Sequence, residues 1–327
     1  MSELRLLKKI PTWVQYLLVA GVIWLLPIVL SGSAYWKGIL VVIAMNIMLA
    51  MSLNLILGYT GQLNLGHSAF FGVGAYATTL LIKKAGFTFW FAALSGSFLA
   101  GAVGIFLAFF ATRLKGHYLA IASMAFAIIL HQILLNWDSM TSGPLGIYGI
   151  PAPTPIHLFG TEIKFNNSVN LFYLVATVTM VTYIILGNLL RSPIGDTLRA
   201  IREDEVSAAS LGINAKLWKI FAFGVGAFIA GLAGSFYPSF VGTLVPDAFA
   251  VVESFTYLAM VIVGGMGTMF GPIIGAIVLT ILPELLRGLG DARLLVYGIS
   301  LTLVVLFMPG GILQAFQTIK NKLFKSH

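Results

Sequence analysis

The sequence has no cysteine and few charged residues. Because none of the 327 residues is Cys, a disulfide framework is excluded. Asp, Glu, Lys and Arg together make up 9% of the chain, whereas about 25% is usual in a soluble domain. Hydrophobic residues reach 59% and the mean hydropathy is +0.97, which leaves too few polar side chains to cover a water-exposed surface. The composition therefore excludes a soluble globular protein and indicates an integral membrane protein.

Long runs without Asp, Glu, Lys or Arg predict the membrane-spanning helices, because such a charge at the bilayer centre costs about 2.5 to 3.5 kcal/mol. The uncharged runs are 10–36, 38–82, 85–112, 116–137, 165–190, 220–246, 254–283 and 294–319. The second run breaks at 58–62 and the seventh at 264–267, so each predicts two segments. The first piece of the seventh run either begins earlier, near Val251, or is re-entrant. We expect an all-α, polytopic membrane protein with about ten segments, some short or broken, in one domain over 1–327.

The basic residues are distributed unevenly between the two predicted faces. Thirteen of the 19 Lys and Arg residues lie in the N-terminus, the loops at 113–115 and 191–219, and the C-terminus. By the positive-inside rule these segments are expected in the cytoplasm, and loop 138–169 on the opposite side. This distribution accounts for the net charge of +8 without a basic stripe of the kind that binds nucleic acid. We expect membrane lipid, and no nucleic acid, as a partner.

The predicted spans carry no charged residue near their centres, which argues against ion-coupled transport. The sequence also has no phosphate-binding loop, no His-Glu-x-x-His and no Gly-x-Ser-x-Gly motif. We therefore expect no catalytic, cofactor-binding or metal-binding residue in this chain. If it is powered by ATP, a separate subunit hydrolyses the nucleotide, and the chain itself is not an enzyme.

Polar side chains concentrate around the break at 58–62, where they either line a solute pathway or form hydrogen bonds between helices. For the two histidines within apolar runs, His67 and His131, interhelical hydrogen bonding is favoured, since the sequence shows no acidic partner for either. The candidate pathway residues are Asn54, Gln62, Asn64, His67 and Ser68.

Small residues recur every four positions in two segments, at Gly226, Ala230 and Gly234 and again in 267–275. This spacing lets helix backbones approach closely in lipid. Packing within one subunit is favoured, and an interface between two subunits stays open as the alternative.

The loop at 191–219 predicts one short amphipathic helix. Its apolar side would consist of Ile201, Val206, Ala209 and Leu211, with the acidic triplet 203–205 in an early turn. Gly212 and Asn214 would end the helix. A surface helix between two spans is suited to fit a groove in a partner protein.

Four segments resemble the permeases of branched-chain amino acid ABC transporters, and specifically the M-type of the two permeases in such importers. They are Asn54–Tyr76 with GYTGQLNLGHSAFFG, Leu114–Ala122, Gly143–Pro151, and 199–214 with RAIREDE followed by two alanines and Gly-Ile-Asn. The resemblance implies that the 191–219 loop couples the chain to an ATPase. The residues implied in this coupling are Arg199, Arg202, Glu203, Asp204, Glu205, Ala208, Ala209 and Gly212.

The resemblance also implies a set of partners in the bacterial cytoplasmic (inner) membrane. These are a second permease subunit, forming a heterodimer or a homodimer, two ATPase subunits that use ATP, and a periplasmic or lipid-anchored solute-binding protein. The Pro- and Gly-rich loop 138–169 is the candidate to receive the binding protein, with an ordinary connector as the alternative. The expected function is uptake of branched-chain amino acids; alternatives are another small solute such as urea or an amide, or a stand-alone channel for a neutral solute.

Overall fold

The structure is a computed structural model, and it describes residues 34–111, 117–158 and 161–290 together with Leu295, Gly298, Ile299, Thr302 and Gly311. The predicted spans 10–36 and 294–319 lie almost wholly outside the described residues.

The described chain is a bundle of helices, which confirms a polytopic membrane protein. Seven helical stretches are long and apolar enough to cross a membrane: 35–59, 89–110, 117–136, 168–191, 215–241, 246–264 and 271–288. The helices are α1 (Ala34–Asn54), α2 (His67–Lys83), α3 (Phe89–Ala111), α4 (His117–Asn136), the short α5 (Asp138–Thr141), α6 (Ser168–Arg191), α7 (Pro193–Glu203), α8 (Glu205–Ser210), α9 (Ala215–Val241), α10 (Val251–Gly264) and α11 (Gly271–Leu285).

Four short strands lie between the helices. Strand β1 (Ile147–Tyr148) pairs antiparallel with β4 (Thr243–Leu244), so that Ile147 faces Leu244. Strands β2 (Ile156–Leu158) and β3 (Thr161–Ile163) form a separate hairpin. Single 3₁₀ turns occur at Gly143–Leu145, Pro246–Phe249 and Leu286–Leu289.

The bundle has two distinct ends. The upper end carries the 138–158 segment, which is held by the Nζ of Lys83 donating to the carbonyls of Tyr148 and Gly149 at 2.9 and 3.1 Å. The lower end carries α7 and α8, because α6 runs downward from the 138–158 side and α9 returns upward to β4. The segments predicted on opposite faces, 138–169 and 191–219, thus lie at opposite ends.

Helix α9 forms the centre of the bundle and packs against α3, α2 and α1. Gly231 lies against Gly74 of α2, and Gly234 lies against the backbone of Phe71, so both approaches leave no room for a side chain. Gly226 packs against Ser52 and Ile56 of α1. The four-residue repeat in α9 therefore serves packing within this chain, as favoured from the sequence.

Both predicted breaks are confirmed. Helix α1 continues into a π-helical turn at Leu55–Tyr59, and residues 61–66 are non-helical before α2 begins. Helix α10 begins at Val251 and ends at Gly264, and α11 begins at Gly271. The boundary expected at Lys37 is wrong, because α1 already begins at Ala34 and includes Lys37 in its first turn. A lysine is tolerated there since its apolar stem can extend toward the membrane surface.

Helices α3 and α4 present large apolar side chains on the outside of the bundle. Phe98 is 62% exposed, and Phe106, Ile121 and Ile129 are exposed to a similar degree. Surfaces of this kind suit contact with lipid or with another membrane helix.

Candidate coupling surface and buried polar cluster

The 191–219 segment contains two helices rather than the single amphipathic helix expected from the sequence. Asp204 has an extended backbone between α7 and α8, and its carboxylate accepts the N–H groups of Val206 and Ser207 at 2.8 and 3.1 Å. An N-cap residue must leave the helical conformation, so this cap breaks the helix inside the acidic triplet. The expected apolar face is correspondingly wrong, since Val206 is 76% and Leu211 80% exposed, and only Ile201 is buried.

Each helix of this pair is held in place by its own contacts. Ser192 caps α7, and Gly195, Leu198 and Ile201 form its buried side. In α8, Ala208 is buried in a small apolar cluster with Ile201 and Ala215, whereas Ala209 is exposed. Gly212 follows α8 with a positive φ of 83° and has open space around it.

The two arginines of α7 contact the ends of membrane helices. Arg199 donates from Nη2 to the carbonyl of Leu190 and from Nη1 to Asp196, both at 2.8 Å, and its guanidinium lies 5.5 Å from the centre of the Tyr59 ring. Arg202 donates from Nη1 to the carbonyl of Gly58 in the π-helical turn. Helix α7 is thereby attached both to the end of α6 and to the turn below α1.

The acidic residues of the pair differ in their surroundings. Glu205 forms an ion pair with Lys219 of α9, with 2.5 Å between Oε2 and Nζ. Glu203 and Asp204 are exposed. The hydrogen bonds from the Ser207 and Val206 amides stabilise the ionised Asp204 and hold the pKa of its carboxyl below the usual value. The outer surface of this pair is therefore anionic at neutral pH.

Asn54 extends this contact to the connection between α10 and α11. Its Nδ2 donates to the carbonyl of Thr268 at 2.9 Å, and its Oδ1 accepts the N–H of Gly267 at 2.8 Å. Gly267 also lies beside Gly58 and the Arg202 guanidinium. Asn54, Gly58, Arg202 and Gly267 therefore form one contiguous group, which we call the lower clasp.

The other predicted polar residues lie deeper, and the structure does not bring all five together. Gln62 donates from Nε2 to the Thr60 hydroxyl at 2.7 Å and to the carbonyl of Lys219 at 3.4 Å. Ser68 donates its backbone N–H to the hydroxyl of Ser254 at 2.9 Å. The five polar residues predicted to line a pathway are thus divided. Asn54 belongs to the lower clasp, whereas Gln62, Asn64, His67 and Ser68 lie deeper and are called the buried cluster.

His67 lies at the centre of the buried cluster and is 0% exposed. Its Nε2 is 2.7 Å from the Ser52 hydroxyl, which itself donates to the carbonyl of Leu49, so Nε2 carries the proton in this arrangement. Its Nδ1 is 3.4 Å from the amide nitrogen of Asn64, whose oxygen accepts the N–H of Gly66. His67 thus joins α1 to α2, which is the interhelical role favoured from the sequence.

All five predicted pathway residues are at most 3% exposed. In this conformation they present almost no surface to a solute, and their place in a pathway stays a prediction. Within the described part of the chain no group of three or more His, Asp or Glu side chains is arranged to hold a metal ion.

The sequence missed two carboxylates. His131 does have an acidic partner, because its Nε2 lies 3.2 Å from Oδ1 of Asp247. Glu253 was placed outside the spans, since the uncharged run begins after it, but it lies in the first turn of α10 within the apolar stretch 246–264. The sequence left this placement open, because the helix could begin early, near Val251.

Comparison with known proteins identifies the family. A family model described as "Branched-chain amino acid transport system / permease component" matches residues 35–308. The chain is 34% identical over 265 residues to the Escherichia coli protein named high-affinity branched-chain amino acid transport system permease protein LivM, and the match covers 76% of this chain and 62% of the relative.

Two more distant relatives have related names. A Methanocaldococcus jannaschii protein named as a probable LivM is 25% identical over 237 residues, covering 68% of this chain and 67% of that protein. Escherichia coli LivH, another branched-chain amino acid permease by name, is 30% identical over 199 residues, covering 57% and 62%. No solved structure matches the chain. The match with the Escherichia coli LivM spans less than two thirds of that relative's length. The family model, however, covers most of this chain. The chain therefore belongs to the permease components of branched-chain amino acid transport systems.

Proposed function

We propose that this chain is the membrane-spanning permease subunit of an ABC importer for branched-chain amino acids. The observation that carries the proposal is the lower clasp, in which a charged residue of the exposed α7–α8 pair binds the backbone of a membrane helix. Membership of the family supports the same function, and the names of its relatives support Leu, Ile or Val as cargo.

In this proposal the α7–α8 pair fits a groove of a separate ATPase subunit. Movement of α7 is transmitted through Arg202 to Gly58 and through Asn54 to the 265–270 connection, so that α1, α10 and α11 move together. The two states of the pathway are then populated according to the ATPase contact below and the loaded binding protein above. The chain itself needs no nucleotide site.

The proposal places the lower end in the cytoplasm and the 138–169 segment in the periplasm, where it receives the solute-binding protein. The excess of Lys and Arg in the segments assigned to the lower face supports this orientation. About ten crossings, with both termini cytoplasmic, complete the proposed topology. A related permease of the LivH type is the proposed partner in the inner membrane, with two ATPases and ATP as the energy source.

Reconstitution tests the proposal. The chain is placed in proteoliposomes with a second permease, ATPase subunits and a binding protein, and uptake of radioactive leucine is measured with and without ATP. We expect uphill, ATP-dependent uptake that requires the binding protein. Downhill flux through the purified chain alone would instead establish a stand-alone channel, and ATP-dependent uptake of urea or an amide, but not of leucine, would change the cargo.

A further inference from the structure

Glu253 lies deep in the bundle, as its neighbours show. Helix α2 begins at His67 and ends at the upper end with Lys83. Its rise of about 1.5 Å per residue puts Gly72 roughly 16 Å and Ser68 about 22 Å below Lys83. Phe249 packs directly on Gly72, and the hydroxyl of Ser254 accepts the N–H of Ser68. Glu253 therefore lies about 20 Å below the upper end, well inside a hydrocarbon layer of about 30 Å.

The chain reaches this depth before α10 begins. Residues 245–250 descend from β4 through one 3₁₀ turn, Pro246–Phe249, before α10 begins. Irregular backbone at membrane depth is tolerated only where it is enclosed by protein or lines a water-filled cavity. The Asp247 side chain on this segment is 85% exposed although it bonds to His131. An exposed carboxylate on such a segment indicates that this face contacts water rather than lipid.

The Glu253 carboxylate is half-buried and has no hydrogen-bond or ion-pair partner among the described residues. Tyr257 follows it by four residues on the same side of α10, and Tyr237 belongs to the same aromatic group through its contacts with Phe71 and Phe249. A carboxylate at this depth is costly and is normally paired with a cation or a proton donor. The described chain provides no such partner for this carboxylate.

The surroundings of this carboxylate are aromatic and closely packed. The Phe71 ring lies 5.4 Å from Tyr237 and 5.2 Å from Phe249, and the Tyr257 ring lies 6.3 Å from Phe71. Phe71, Phe249 and Tyr257 are buried, whereas Tyr237 and Glu253 are half-buried. The buried rings of Phe71 and Phe249 fix the position of the Tyr237 ring, and Tyr237 and Glu253 are the partly accessible members of this group.

We propose that Glu253, assisted by Tyr237, binds the ammonium group of a zwitterionic amino acid as it passes through the membrane. This inference rests on the proposed function, whose cargo is a small amino acid. It assigns the pathway to the face formed by α10, Asp247 and His131, instead of the buried polar residues 54–68. The carboxylate pairs with the ammonium, and the Tyr237 hydroxyl provides a second polar contact.

Cysteine labelling tests the access of water, and the absence of natural cysteine from this chain removes the background. Glu253→Cys is assembled with the partner subunits in proteoliposomes and treated from both sides with a positively charged, membrane-impermeant methanethiosulfonate reagent. We expect the chain to be labelled. Phe98→Cys, on the exposed apolar side of α3, is the matched control and is expected to stay unlabelled. Absence of labelling at Glu253→Cys in the assembled transporter, whether lipid or the second permease covers the site, would overturn the proposal.

Uptake measurements test the role of the charge. We expect Glu253→Gln to lower leucine uptake at least about tenfold, while the assembled complex keeps its ATP hydrolysis stimulated by the loaded binding protein. Glu253→Asp, which retains the charge, is expected to keep a substantial part of the uptake. Glu284→Gln is the control, because Glu284 is a half-buried carboxylate in another span that already binds the Tyr35 hydroxyl.

Two results would contradict the proposal: normal uptake by Glu253→Gln, or a loss in Glu253→Asp as complete as that in Glu253→Gln. These failures are distinct from failure of the proposed function. If the unmodified complex does not carry leucine, the function is wrong whatever the variants do, and the labelling of Glu253→Cys still reports on the access of water to the site.

Discussion

The lower clasp and the Glu253 site use charged side chains in opposite ways. At the lower clasp, Arg202 is bound to the carbonyl of Gly58, and nearby Glu205 is paired with Lys219. At the Glu253 site, the carboxylate has no such partner among the described residues. A charge that is satisfied within the chain can transmit a movement between helices, whereas an unsatisfied charge can bind a passing ion or dipole. The difference separates the proposed mechanical role of the lower clasp from the proposed binding role of Glu253 inside the bundle.

Removing the arginine of the lower clasp is expected to have the largest effect. Arg202→Ala eliminates a charge-assisted hydrogen bond of about 1.5 to 3 kcal/mol, so leucine uptake by the assembled transporter should fall at least about tenfold. ATP hydrolysis should persist, because the proposed nucleotide sites lie in other subunits. Parallel assays of uptake and hydrolysis measure this uncoupling. Lys216→Ala, at an exposed neighbouring position, is the control, and equal losses in both variants would mean that the clasp has no special role.

The second prediction concerns the amide that joins α1 to the 265–270 connection. Asn54→Leu leaves the N–H of Gly267 and the carbonyl of Thr268 without their partner, and the free energy of unfolding should decrease by about 2 kcal/mol or more. The thermal unfolding midpoint of the detergent-purified chain measures this loss. Asn136→Leu is the comparison, since Asn136 is exposed and bonds only within its own helix. An unchanged midpoint for Asn54→Leu would refute the link.

A smaller effect is expected from reversing an exposed charge of the α7–α8 pair. Glu203→Lys changes the surface offered to an ATPase without breaking an ion pair within the described chain, so uptake should decrease about fivefold while the chain still inserts. Glu205→Lys additionally breaks the ion pair with Lys219 and should also loosen the contact between α8 and α9. Uptake and membrane insertion are measured for both variants. Full uptake by Glu203→Lys would place the ATPase contact elsewhere.

The smallest expected effect is local and depends on pH. The pKa of Asp204 is lowered in the folded chain by the hydrogen bonds from Ser207 and Val206, so the cap stabilises α8 above the usual pKa of an aspartate and loses this effect as the pH falls through the lowered value. Near neutral pH, Asp204→Ala should increase hydrogen exchange of the 206–207 amides several-fold. Asp204→Asn should cap α8 at every pH. If the hydrogen-exchange rates of wild type and Asp204→Ala differed by the same factor at all pH values, the Asp204 carboxylate would not be the origin of the stability of α8.

Within the described residues, the sequence predicted the long apolar helical stretches and the two breaks because each depends on local composition. The Gly58 and Gly264 breaks could be predicted from clustered glycines, and both exist. The division at Asp204 was not predicted, because an aspartate in an amphipathic stretch indicates a helix surface and an N-cap equally well. Glu253 was missed for another reason: its depth depends on the packing of Phe249 on Gly72, a contact between distant parts of the chain that no charge count reveals.

The π-helical turn has a geometric consequence for α1. A π-helical turn is wider than an α-helical one, so side chains on either side of Leu55–Tyr59 cannot be plotted on one helical wheel. After the turn, the amides of Gly61 and Gln62 still donate back to the carbonyls of Leu57 and Ile56. Gly58 lies in the last turn before the helix ends, where carbonyls have no amide ahead of them within the helix, and its oxygen accepts from Arg202 instead. A helix that ends inside the protein thus offers a cationic side chain an acceptor that the middle of a continuous helix does not.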